Sequence, residues 1–496
     1  MAKSHDCDVL IVGAGPVGVT LALLLARESV SVIVADKAAE IYPLPRAAHI
    51  DHEIVRIFQS LGVADEIMAT SRAANRYDFL TAAGEVLMRF EMDTARTPCG
   101  WPASNMIHQP SIEAALRRRL ADAANAKLKT EWTFEGYAAS ENGVTAEFST
   151  PEGPRRLSAR YLVGCDGASS TVRGASGAKF LDLKFDEPWL VIDALVHDAQ
   201  RLPEINLQIC DPERPTTCVL MGQGRHRWEF MLKPGETVEQ VLDDNFIEAL
   251  LAPWNVDGAI SLERKAVYRF HALVADRWRA GSVLLAGDAA HQMPPFAGQG
   301  LCSGVRDAAN LAWKLAAVLR GEAGEALLDT YQPEREPHVR AIIDLALVMG
   351  RTVCITDPIA AAERDRTMLA QRATGRGPGG AVSYPPIAVG CVMAGSAAAG
   401  ELFPQPWSGD ASPERLDDVL GAGPWLITRN SVAAEPVVSV RCVALTDTAL
   451  APFAADLVGW FDRRGVGEAI LVRSDRYVFG AGSADTLLKA WAKAQD

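Results

Sequence analysis

No basic run exceeds Arg117-Arg118-Arg119, no two cysteines stand in C-x-x-C spacing, no internal repeat is present and no long apolar stretch is free of glycine in this chain of 496 residues. Each absence excludes something. Without a basic cluster, and with a formal net charge of -13, the chain is a poor partner for nucleic acid or an anionic membrane surface. Nine cysteines, at 7, 99, 165, 210, 218, 302, 354, 391 and 442, form an odd set without zinc-ligand spacing, which predicts no metal site and suits a reducing, cytoplasmic setting. Val9 to Ala26 approaches the length of a membrane span, but three glycines and a proline interrupt it, and Asp6 and Asp8 precede it where a signal peptide has basic residues. It is predicted to be a buried strand, a tight turn and a buried helix. The composition, 49% hydrophobic and 22% charged, is that of a folded globular protein, and the length suits about three domains.

That opening stretch carries the strongest local pattern. Gly13-Ala14-Gly15-Pro16-Val17-Gly18 follows a predicted strand from Asp8 to Val12 and opens a predicted helix reaching about Arg27; Asp36 closes the next strand, which starts at Val30. In a βαβ unit of this kind Gly13 permits the turn, Gly15 lets the backbone approach a pyrophosphate, Gly18 lets helix and strand pack closely, and the carboxylate of Asp36 accepts hydrogen bonds from ribose hydroxyls. Pro16 and Lys37 flank these positions as further candidate contacts. Asp36 would repel a 2'-phosphate, which leaves NAD or the ADP half of FAD. Two later apolar runs, Arg160 to Val163 and Ser282 to Ala286, each lead into a Gly/Asp turn, as strands feeding a ligand edge do. Between them, Trp189 to Val196, Thr217 to Met221, Trp228 to Leu232 and Lys265 to Ala272 read as strands of a separate sheet. Helices are predicted from about Leu301 to Arg320 and from Gln332 to Met349. Ala373 to Gly380, dense in glycine and proline, reads as a linker before a small α/β unit.

Tyr161-Leu162-Val163-Gly164-Cys165-Asp166-Gly167-Ala168-Ser169-Ser170-Thr171-Val172-Arg173 and Ser282-Val283-Leu284-Leu285-Ala286-Gly287-Asp288-Ala289-Ala290-His291 resemble, with the first glycine turn, the three fingerprints of the single-component FAD-dependent aromatic hydroxylases. The resemblance covers about the first 350 residues. It implies that the turn at Asp166 helps bind FAD and the nicotinamide donor, that Asp288, after Gly287, holds the ribityl or ribose part of FAD, and that the loop through Pro294, Pro295, Gly298 and Gly300 passes the isoalloxazine ring. A helix starting near Leu301 would aim free amide hydrogens at the reduced ring, an effect of about 0.3 to 2 kcal/mol. Arg46 matches an arginine that contacts the flavin, and Gln109 stands where the family often has a flavin-contacting side chain. Gly480-Ala481-Gly482 lacks the acid and setting of a second dinucleotide site, so NADH or NADPH is expected as a transient donor. His49 and His52 lack a third metal ligand, and His291 reads as a flavin-loop residue.

The resemblance, closest to the 3-(3-hydroxyphenyl)propionate and phenol hydroxylase branch, implies hydroxylation of a small phenolic substrate by NAD(P)H and O2 through a flavin hydroperoxide. Asp51 and Tyr268 are the candidate catalytic helpers. Asp is also a favoured helix N-cap, and an ordinary Asp near pKa ~3.9 is a weak base for a phenol near ~10, so catalysis by Asp51 requires burial that raises its pKa. Tyr268 lies on an Ala266/Tyr268/Phe270 strand face, and a core aromatic is its alternative role. A flavin-dependent Baeyer-Villiger oxygenase and a noncatalytic flavin- or NAD-binding assembly protein are the alternatives. The expected architecture is α/β. A Rossmann-like FAD-binding domain (1–75, 103–180 and 273–372) carries an inserted mixed-sheet substrate domain (76–102 and 181–272). After the linker 373–380 comes a thioredoxin-like domain, 381–496, in which Leu402-Phe403-Pro404-Gln405-Pro406 and Arg415 to Gly421 resemble the same branch. With no C-x-x-C, its expected role is packing or formation of a homodimer.

Overall fold

The computed structural model describes residues 5–94, 97–375, 384–408, 414–431 and 440–495. An eight-stranded sheet lies at its centre. Its five parallel strands run in the order Val283–Leu285, Arg155–Gly164, Cys7–Val12, Val32–Asp36 and Ala126–Thr130. Residues 9–12 are apolar and buried throughout, because a central parallel strand is covered on both faces. The hydrophobic run at 9–26 is thus strand Cys7–Val12, a turn, and helix Pro16–Arg27 packed on it. No helix among the described residues is long and apolar enough to cross a membrane.

A second eight-stranded sheet, mainly antiparallel, contains the longest strands, Phe180–Val196 and Ile260–Ala275, beside Arg225–Met231, Thr216–Met221, Asn206–Ile209 and Arg76–Leu80. Its strands alternate. Leu190, Ile192, Trp228 and Phe230 enter an apolar cluster with the Asp244–Leu251 helix, while Trp189, Asp193, Arg227 and Glu229 lie on the other face. The predicted strands are present here; Phe180–Val196 begins earlier than expected and Ile260–Ala275 is longer at both ends, and the added N-terminal segments are rich in charged residues and carry little periodic signal.

The helix predicted near 301–320 spans Gly300–Leu319, and the next spans Tyr331–Val353. A further helix, Pro358–Ala373, was not legible: only Ala361 and Arg364 are buried, so it has almost no apolar stripe. It runs into the expected linker, of which 376–380 lie outside the described residues. The C-terminal unit is a four-stranded mixed sheet ordered Arg441–Ala444, Trp425–Thr428, Ala469–Val472, Val478–Gly482, with helices Ala454–Arg464 and Ala484–Gln495, in keeping with a thioredoxin-like fold. All nine cysteines are free thiols.

Candidate active site

Three of the predicted turns meet at one edge of the central sheet. Gly13 has φ +105°, and a Cβ on it would overlap the carbonyl oxygen of Cys165 and come within 2.9 Å of the Asp166 Cα, so the first and second turns are in backbone contact. Gly287, at φ +64°, packs on Val17, and a Cβ on Gly304 of the Gly300–Leu319 helix would lie 2.6 Å from Val17 Cγ2 and 3.0 Å from Gly287 Cα. Only glycine allows this approach. Gly18 is equally tight, since its Cβ would overlap the Gly13 carbonyl. At Gly15, by contrast, a Cβ would meet nothing within 4 Å. Pro16 occupies the first turn of the helix, where a missing N–H costs nothing.

Around this junction the predicted polar residues divide into two groups. Asp36 accepts hydrogen bonds from the Ala14 and Ala38 amides at 2.6 and 2.7 Å, leaving lone pairs free on both oxygens, and Lys37 beside it is exposed. Asp288 is solvent-accessible and accepts no hydrogen bond among the described residues, yet burial raises its carboxyl pKa, with His291 and Arg46 opposing. Arg46 is exposed, with its guanidinium 5.0 Å from the Tyr42 ring centroid. Gln109 is buried; its amide oxygen accepts from the Ala47 N–H at 2.7 Å and its amide nitrogen donates to Glu113, so it fixes the backbone beside Arg46. Asp166 differs: its carboxylate accepts from Ser170 Oγ and the Thr171 and Val172 amides and caps a short helix.

Pro295 begins a 3-10 turn, Gly298 follows at φ +63°, and Gly300 opens the long helix with no side-chain cap, Leu301 being half-buried. His49 Nδ1 lies 3.0 Å from the Gly298 carbonyl oxygen, tying this loop to the strand before Asp51.

Asp51 is buried, as a base would require, but its carboxylate caps helix His52–Ser60 through the Glu53 and Ile54 amides and meets Arg306 Nη2 at 2.5 Å. Burial pushes its pKa up; Arg306 and the two histidines outweigh it and hold the carboxyl at about 2. That is the opposite of the shift a phenol-deprotonating Asp51 needs, and its geometry is that of a cap and an ion-pair partner. Tyr268 is half-buried opposite Trp189, its hydroxyl has no protein partner among the described residues, and the Arg264 guanidinium lies 4.8 Å from its ring centroid.

Several residues that hold the site escaped the sequence reading. Asp307, fully buried, accepts from the Gly287 amide at 3.1 Å, lies 2.6 Å from His291 Nε2 and receives Arg335 Nε at 2.9 Å. Burial opposes its ionisation, but His291 and Arg335 prevail and lower its pKa. His291 therefore braces the Gly287-Asp288 turn. Arg306 binds Glu53 and Gln299 as well as Asp51. Arg227 pairs with Asp193 at 2.6 Å and donates to the Arg46 and Pro45 carbonyls, each at 2.8 Å, so the second sheet grips the Arg46 loop. The available signal was Arg306-Asp307, adjacent opposite charges in a mainly apolar helix whose one other charge is Lys314.

Residues 6–346 match the family described as FAD binding domain. The chain is 36% identical to a probable NADH-specific resorcinol 4-hydroxylase of Rhodococcus jostii (strain RHA1), over 98% of this chain and 94% of that protein. It is 40% identical to a 3-(3-hydroxy-phenyl)propionate/3-hydroxycinnamic acid hydroxylase of Mycolicibacterium smegmatis, over 72% of this chain and 63% of the relative. Among solved structures, aklavinone-11 hydroxylase, in a ternary complex with FAD and aklavinone, superimposes with a TM-score of 0.80 at 25% identity and full coverage of both chains. The rebeccamycin biosynthetic enzyme RebC shares the fold with a TM-score of 0.77 at 23% identity, over 98% of this chain and 99% of that one. With its three glycine-bearing turns in contact at one sheet edge and relatives aligned across nearly its whole length, the chain belongs to the FAD-binding-domain family of FAD-dependent aromatic hydroxylases.

Proposed function

We propose that this chain uses FAD, NADH or NADPH, and O2 to hydroxylate a small phenolic ring ortho or para to an existing hydroxyl. The observation that carries the reading is the contact of the Gly13–Gly18, Cys165-Asp166 and Gly287-Asp288 turns, with open space in front of Gly15 and an accessible Asp288 that has no hydrogen-bond partner among the described residues. The name of the Rhodococcus relative favours NADH as donor and a resorcinol-like ring as substrate.

In this reading Gly15 admits the pyrophosphate of FAD to the backbone, Asp36 accepts from its ribose, and Asp288 accepts from hydroxyls of its ribityl or ribose portion. Arg46 and Lys37 add positive charge, while Gln109, Asp307 and His291 act on the loops rather than on the ligand. Asp166 supports the site by closing its own turn. Pro295, Gly298, Gly300 and Leu301 line the ring, with the free amides of the Gly300 helix favouring negative charge there. Bound FAD, reduced by the nicotinamide donor, supplies activated oxygen. The protein holds the phenol, orients it and excludes water. Asp51 serves as a positioning residue, and Tyr268, with a free hydroxyl, as a contact to the substrate.

The same reading assigns 1–75, 103–180 and 273–372 to FAD, 76–102 and 181–272 to substrate, and 381–496 to a packing role or a homodimer contact. Nine free thiols support a cytoplasmic setting. The test is direct. Purified protein should be yellow, and resorcinol should accelerate NADH oxidation and gain one oxygen atom at a ring carbon, read by NMR of the product. A protein that neither contains nor takes up FAD would end this proposal.

A further inference from the structure

Glu229 occupies the middle of the second sheet, on the face that carries Trp189 and Asp193 and packs against Phe296. Across the strands its neighbours are Val191 and Thr217. From Thr217 a hydrogen-bonded chain runs to the loop predicted to line the flavin ring: Thr217 Oγ1 donates to Gln208 Oε1 at 2.7 Å, Gln208 Nε2 donates to Tyr77 Oη at 2.5 Å, and the Tyr77 hydroxyl reaches the Phe296 carbonyl at 3.5 Å. On its other side Arg227 holds the carbonyls of Pro45 and Arg46. Glu229 therefore sits between the sheet's two attachments to the candidate flavin loops.

Its carboxylate is anomalous for that place. Glu229 is 6% exposed and accepts no hydrogen bond among the described residues, and its cation partner there, Arg227 Nη1, is 3.8 Å away. Arg227 is already engaged by Asp193 through Nε and Nη2 and by both loop carbonyls. The Glu229 oxygens are not fully enclosed, and a carboxylate with so little contact with water and no protein donor generally takes a partner in the space before it.

Resting on the phenol hydroxylase reading, we infer that Glu229 is the catalytic base that receives the hydroxyl proton of the phenolic substrate. The substrate O–H bond breaks, its electron pair stays on oxygen as phenolate, and the proton moves to a Glu229 carboxylate oxygen; no electron is exchanged. The protonated carboxyl returns the proton when the product regains its hydroxyl. Burial raises the Glu229 pKa to about 7, with Arg227 opposing and Asp193 adding to the rise. A base near 7 is better matched to a phenol near ~10 than an ordinary carboxylate is. The charged and titratable groups acting on it are Arg227 of its own strand, Asp193 of the neighbouring strand and Tyr77, whose hydroxyl feels the Glu229 charge in return.

The test compares wild type, Glu229→Gln and Glu229→Asp in their FAD-loaded forms with resorcinol as the probe, scoring ring-hydroxylated product against pH. Wild-type kcat/KM should rise as pH increases through about 7, because the ionised carboxylate is the active form. Glu229→Gln should lose that limb and about 100-fold or more of its hydroxylation. Glu229→Asp should keep a limb. Persistence of the limb in Glu229→Gln overturns the inference. If the variants do not fold, wild type decides: without donor, the Kd of resorcinol, read from the flavin absorbance, should tighten through the same pH range, and a flat Kd overturns it. A wild type that binds FAD but hydroxylates no phenol overturns the functional reading and this inference together, whereas a hydroxylating enzyme with an unmoved limb sinks this inference alone.

Discussion

At Gly15 an added methyl group would touch no protein atom, while at Gly13 it would overlap the Cys165 carbonyl in a backbone already at φ +105°. One turn thus offers two separable outcomes. Gly15→Ala should leave the melting of flavin-free protein within about 0.5 kcal/mol of wild type and lower FAD content, since the methyl enters space assigned to the pyrophosphate. Gly13→Ala should destabilise even the flavin-free protein by several kcal/mol, on the order expected of strain plus overlap. Absorbance of bound FAD and thermal melting check both; full FAD retention by Gly15→Ala would remove the pyrophosphate from that position. Asp51 gives a second residue-level separation. Asn is an equally good N-cap, so Asp51→Asn keeps the cap and leaves buried Arg306 with Glu53 as its remaining carboxylate, which should cost about 2 kcal/mol. Its folded pKa, about 2, lies below that of the unfolded chain, so the stabilisation is present above pH ~4 and lost as pH falls toward 2, amounting to about 2 kcal/mol. If Asp51 is a positioning residue, Asp51→Asn lowers stability without moving the pH limb of hydroxylation near 7.

The strands of the C-terminal sheet have two apolar faces. Trp425, Ile427, Ile470 and Val472 build a local core with Phe453, Leu457 and Phe461, while Leu426, Leu471 and Phe479 join Trp491 in the core of the main body. That explains why 425–427 and 469–472 read as unbroken hydrophobic runs, a pattern the sequence makes visible. What it hides is the polar seam beside this interface. Glu334, fully buried, lies 2.9 Å from Lys314 Nζ and 2.8 Å from Arg473 Nη2, and also accepts from Asn310 and the Cys391 amide. Arg473 and Glu334 are 139 positions apart, and Arg56 and Asp417, paired at 2.7 Å, are 361 apart; no local spacing announces such partners. Glu334→Gln removes the charge between two buried cations and should cost about 3 to 5 kcal/mol in chemical unfolding. Glu401→Gln, which breaks a half-exposed pair with Arg464, should change it by about 1 kcal/mol or less. Equal effects would show that the seam contributes no more than a surface pair.

For the molecule as a whole, the legible parts were those whose chemistry is local. The glycine turns, the acids that follow them and the apolar strands announce themselves over a dozen residues, so the α/β layout and the meeting of three turns could be read before any coordinates. Glu229, Asp193 and Arg227 could not: each is one polar residue in a β-rich segment, and only the register of the second sheet places them on a common face. The same long-range closure governs how the chain should unfold. Tyr477 donates to Glu53, Asp475 accepts from Asn310 and Trp313, and Trp491 stacks on Trp313 with ring centroids 5.8 Å apart, so detaching the C-terminal sheet would expose apolar surface and strand buried charges on the main body. Neither part is expected to melt first. Calorimetry of flavin-free protein should give one cooperative transition, and FAD at about 100 times its Kd should raise that whole transition by about 2.7 kcal/mol of added stability, although the C-terminal sheet lies outside the candidate flavin site. Two transitions, only one of them moved by FAD, would mean that the C-terminal unit folds on its own and that the seam through Glu334 and Arg473 joins it only weakly to the rest.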